Sequence, residues 1–91
     1  MKTKNKSKND LEKIDDFTLA TTLICLGYEP LLIESGKINP QVYEFIFDKT
    51  EAIERLVKAY FNRNLLVEPN KFLKSRKEIH NRIKKLESEI L

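Results

Sequence analysis

The chain has 91 residues, 41% hydrophobic and 34% charged, which supplies one modest apolar core and leaves no room for a second domain. Its one cysteine, Cys25, excludes an intrachain disulfide and points to a reducing, cytoplasmic setting, and no apolar stretch reads as a signal peptide or a membrane span. The net charge of +3 divides unevenly: residues 11–70 hold six basic side chains against ten acidic ones, while residues 71–91 hold seven against three, an asymmetry that bears on partners rather than on fold.

Met1 to Asp10 alternates lysine with Thr, Asn and Ser and offers no apolar residue after Met1, too little to offset the entropy of ordering. The ordered domain is therefore expected over 15–91, with residues 1–14 as a disordered basic tail. Between Asp15 and Gly27, Leu19, Leu23 and Leu26 recur at helical spacing with Ala20 and Ile24 beside them, Asp16 and Thr18 are candidate caps, and Gly27 ends the helix. Thr21 and Thr22 weigh against it, because β-branched residues lose rotamer freedom in a helix.

Tyr28 to Glu34 reads as a short strand, which Pro30 confines to a sheet edge or to the strand's own start because proline has no N–H for a ladder. Ser35 to Pro40 has the composition of a hairpin connection, and Gln41 to Phe47 then sets Tyr43, Phe45 and Phe47 on one face at period two, the expected core face. Asp48 and Glu51 have the spacing of a capping box before a helix striped by Ile53, Leu56, Val57 and Tyr60 and ending near Asn62. Leu65 to Val67 suggests a third short strand. Glu68 and Pro69 then open a last helix, whose Phe72, Ile79, Ile83, Leu86 and Ile90 form a narrow apolar seam.

The stretches DDFTLATTLICLGYE, EFIFDKTEAIERLVKAYFN and VEPNKFLKSRKEIHNRI, roughly Asp15 to Ile83 with their gaps, resemble a small family of uncharacterised bacterial and phage proteins, a domain of unknown function. The shared pattern is a helix closing on Gly-aromatic, a strand ending Phe-x-Phe-Asp, a helix ending Tyr-aromatic-Asn, and an acidic-Pro step into a Lys-rich helix. The resemblance implies an α-β-β-α-α order and brings no activity, ligand or catalytic residue. Bottom-up, the expectation is an α+β domain of order α-β-β-α-(β)-α. In it a hairpin of residues 28–47 is covered by the second and third helices, the first helix packs nearby, and Phe45, Phe47, Leu56, Tyr60, Phe72 and Ile79 form the core.

No constellation for catalysis stands out. Cys25 lies between Ile24 and Leu26 in an apolar helix and reads as a small hydrophobe, and His80 is the one histidine, so no His-rich metal site can form. Asp15 and Asp16 read as helix caps, and Gly27 and Gly36 are too few for a phosphate-cradling loop. No enzyme, cofactor, metal, membrane or small-molecule ligand is expected. Lys71, Lys74, Lys77, Arg82, Lys84 and Lys85 instead gather on the last helix opposite its seam, and with the N-terminal lysines they suit a phosphate backbone. A non-enzymatic accessory or regulatory module that contacts nucleic acid is the first reading. The second is a protein adaptor or homodimer built on the seam residues Ile79, Ile83, Leu86 and Ile90, which fit a and d positions of a short coiled coil.

Overall fold

The computed structural model describes residues 10–90. Along the chain run β1 (Leu11–Ile14), α1 (Phe17–Cys25), β2 (Leu32–Ser35), β3 (Tyr43–Asp48), α2 (Glu51–Phe61) and α3 (Pro69–Ile90). The three strands form an antiparallel sheet in the order β1-β3-β2, and the helices pack on one of its faces, so the α+β expectation is met.

The sheet departs from expectation at both ends of its sequence pattern. Residues 11–14, assigned above to a disordered tail, are an edge strand in which Leu11 pairs with Asp48 and Ile14 with Phe45, while residues 1–9 of that tail lie outside the described residues. A four-residue strand with charged Glu12 and Lys13 inside it shows no legible periodicity, and its partner lies more than thirty residues downstream. The strand expected at Leu65–Val67 does not form. Both edges of β3 are taken by β1 and β2, and Leu65 and Val67 turn inward while Leu66 stays 88% exposed.

β2 is shorter than expected because Tyr28 belongs to the helix stop before it. Gly27, at φ +102°, donates to the Ile24 carbonyl and Tyr28 donates to the Leu23 carbonyl, the paired bonds of a Schellman motif. The same motif ends α2, where Arg63 takes the left-handed position at φ 61° and Arg63 and Asn64 donate to Tyr60 and Ala59. The α2 N-cap is Thr50, whose Oγ1 accepts from Ile53 at 3.1 Å, and not Asp48, which is the last residue of β3.

On the core face Phe45 and Phe47 are buried to 1% exposure, as the period-two pattern requires. The helix covering them is chiefly α1, a correction to the expectation that α2 and α3 cover the hairpin. Leu19, Ala20, Leu23 and Ile24 of α1 lie at the centre of the apolar cluster with Ile14, Ile53 and Ile79. No charged residue occurs from Phe17 to Gly27, the mark of a helix surrounded by protein. Thr21 and Thr22 are buried in it without cost to the core because their hydroxyls donate to the carbonyls of Phe17 and Thr18, at 2.7 and 2.8 Å. Of the expected core, Leu56 and Tyr60 are half-buried against the cluster and Phe72 stands outside it.

The outer face of the sheet is less covered, and there Glu34 and Glu44 sit directly opposite each other. Like charges so placed repel, so replacing Glu34 by Thr is expected to raise stability by about 0.2–1 kcal/mol. A thermal melt reads this as a higher midpoint; an unchanged or lower one means that solvent already screens the pair.

Candidate functional site

α3 is set by its own start. Glu68 accepts from the backbone N–H groups of Asn70 and Lys71 through its two carboxylate oxygens, at 3.1 and 2.9 Å, and Pro69 follows where a missing N–H costs nothing. One side of the helix is then fastened from Ile79 to Glu87. Ile79 is fully buried, Ile83 packs on the core, and the His80 ring lies 5.0 Å from that of Phe17. Near the far end, the Tyr43 hydroxyl donates to Glu87 at 3.2 Å. Burial and the Glu87 carboxylate both push the Tyr43 phenol above its usual pKa.

With that side fixed, the helical repeat of about 100° per residue turns Lys71, Lys74, Lys77, Lys84 and Lys85 to the opposite side, within an arc of roughly 140°. All five are exposed, and among the described residues none lies within ion-pair distance of a carboxylate. Glu78 and Glu89 are exposed on the same side, so the face is cationic in balance rather than uniformly so. Arg82 differs from the lysines. Its guanidinium meets Glu29 at 3.0 Å and ties α3 to the segment between α1 and β2.

The seam residues divide. Ile79 and Ile83 contribute to the domain's own core, Leu86 is half-buried, and for Ile90 only the backbone is described. The remaining side chains considered for chemistry have structural places. Asp16 caps α1, accepting from Leu19 at 3.0 Å, and receives the Tyr60 hydroxyl at 3.4 Å; burial first, then the Asp16 charge, raises the Tyr60 pKa above its usual value. Asp15 is exposed, Cys25 is half-buried at the end of α1, and no cluster of potential metal ligands occurs among the described residues. Gly36 belongs to the hairpin, where an added Cβ would meet the Asn39 and Val42 carbonyl oxygens at 2.7 Å. No described helix is long and apolar enough to cross a membrane.

Two open grooves flank α3, and the sequence alone did not disclose them. One, of about 420 Å³, runs between Pro30–Ile33 and Arg82, Lys85, Leu86 and Glu89. The other, of about 480 Å³, lies between Thr18, Thr22 and Tyr60 on one side and Leu65, Phe72 and Leu73 on the other. The available signal was Leu31 and Leu32, consecutive leucines beside Pro30 in a strand otherwise read as an edge.

Compared with known proteins, the chain matches one family model over residues 9–85, described as a domain of unknown function, DUF5659. The match opens ahead of β1, in keeping with a strand there that belongs to the domain. No curated protein and no solved structure matches significantly.

Proposed function

We propose, from the premise that the chain belongs to the DUF5659 family of domains of unknown function, that it is a non-enzymatic accessory or regulatory module that contacts the phosphate backbone of nucleic acid through α3. The observation that carries this reading is the row Lys71, Lys74, Lys77, Lys84 and Lys85, exposed and unpaired among the described residues on a helix whose other side is anchored. Such a row suits phosphates as point charges, without the two-pronged geometry by which arginine reads a guanine edge. Contact is therefore governed by charge and largely indifferent to base sequence. Lys2, Lys4, Lys6 and Lys8 join the reading on sequence alone, because they lie outside the described residues. A cytoplasmic setting and a bacterial or phage origin are part of the same proposal.

Titration of the purified chain against labelled duplex and single-stranded DNA and RNA across a salt series tests it. The logarithm of affinity is expected to fall linearly with the logarithm of salt, by roughly 0.7–0.9 per phosphate engaged, and changing Lys74, Lys77 and Lys84 together to Glu is expected to remove roughly two to three units of that slope. A chain that binds none of the four ligands at low salt, or whose triple variant binds equally well, excludes the lysine row as a phosphate surface.

A further inference from the structure

β2 is an edge strand, with β3 on one side of it and no described strand on the other. Gly36 N–H donates to the Val42 carbonyl at 2.7 Å, which sets the parity of the hairpin. Bonded and non-bonded pairs alternate in an antiparallel ladder, so Glu34 and Leu32 bond to β3 while Ile33 and Ser35 turn their N–H and C=O groups outward. Edges of this kind are normally blunted by lysine, by proline within the strand or by a covering element. Here Pro30 and Lys37 stand beyond its two ends, and Leu31 and Leu32 are 59% and 51% exposed.

α3 runs beside this edge in the same direction. Arg82 and Lys85 lie along Pro30–Ile33, and Leu86 and Glu89 continue to Ser35 and Tyr43, so the groove of about 420 Å³ passes into a second of about 240 Å³. Charge is graded along it. At the Pro30 end Arg82 is paired with Glu29, which leaves Lys85 as the cation there without an ion pair among the described residues, while Glu89, one turn further along α3, and Glu34 make the Ser35 end acidic. A surface that is positive at one end and negative at the other complements itself when turned through a two-fold axis across its middle.

We propose that a second copy of this chain occupies the groove, its β2 pairing antiparallel with the first to give a continuous six-stranded sheet. Centring the axis on Ile33 makes that residue a bonded pair with its own copy, sets Leu32 opposite Glu34, and brings Lys85 towards Glu89 of the second copy. Centring it on Glu34 would oppose that residue to itself, a like-charge pair that selects the first register. Leu31 and Leu86 lose solvent exposure in the process. The surface shares Lys85 alone with the lysine row and lies outside the buried part of the seam, and because its test reads the mass of the chain without nucleic acid, the proposal stands or falls apart from the nucleic-acid reading.

Sedimentation equilibrium of the full chain over a concentration series tests it. The mass is expected to rise from 10.7 kDa towards twice that value. Leu31→Arg with Leu32→Arg is expected to weaken association at least ten-fold while leaving the circular dichroism spectrum and melt of the monomer unchanged, because both side chains are already more than half exposed. Lys85→Glu alone weakens it, and adding Glu89→Lys restores it. A chain that stays monomeric at every concentration overturns the proposal and leaves the edge to an extended peptide of another protein. So does a dimer indifferent to the leucine substitutions, or one that the charge exchange fails to rescue.

Discussion

Replacing Phe45 by Ala is expected to remove a large part of the domain's stability. The ring is 1% exposed at the centre of the middle strand, with Ile14 and Ile33 beside it in register and the Phe17 ring edge-on at 6.2 Å. Truncating a buried Phe to Ala costs about 3–5 kcal/mol, transfer and cavity together. A domain of this length has a total stability on the order of 5–14 kcal/mol, with small cores towards the lower end. Urea unfolding followed by circular dichroism would show the midpoint fall by a large fraction or the cooperative transition disappear. A midpoint close to that of the parent chain would mean that Phe45 is not the centre of the core.

Removing residues 1–14 is expected to have an effect at least as large. Were these residues a tail, their loss would leave the melt untouched. The structure instead makes Leu11–Ile14 a strand that satisfies one edge of β3, and Ile14 is 5% exposed among Leu19, Phe45 and Ile53. Deletion strips the ladder from β3 and opens a hole the size of Ile14, which alone accounts for about 2–5 kcal/mol. The expected result is a chain without a cooperative thermal transition. A shortened chain that melts cooperatively near the parent temperature would show that β1 contributes little to stability.

How far the fold could be read from the sequence depended on the range of the interaction involved. The α1 cap at Asp16, the stop at Gly27, the aromatic face of β3 and, within the seam of α3, the step from Ile79 to Ile83 are local patterns, written in residues a few positions apart, and each appears where its spacing places it. β1 was missed because Leu-Glu-Lys-Ile carries no pattern until β3 is beside it. The same reason explains the place given to α1. Its uncharged sequence pointed to burial on every side, but the side stripes of α2 and α3 are easier to see than the absence of a polar face. At the candidate site the lysine row was legible, since helical spacing alone puts those residues on one side. The pairing of Arg82 with Glu29 was not, because it joins residues 53 positions apart.

The strand order also determines how the chain reaches this state. A ribosome delivers β1 and α1 first, yet β1 has nothing to pair with until Phe45 and its neighbours have emerged. The hairpin of β2 and β3 closes a loop of a few residues, whereas joining Ile14 to Phe45 closes one of about thirty, which adds roughly 1 kcal/mol of entropic cost. The hairpin therefore precedes, and β1 is the last strand to dock. In the interval β3, the strand that carries the core aromatics, is itself a bare edge, and the nascent domain is at its most prone to pairing with a neighbouring chain.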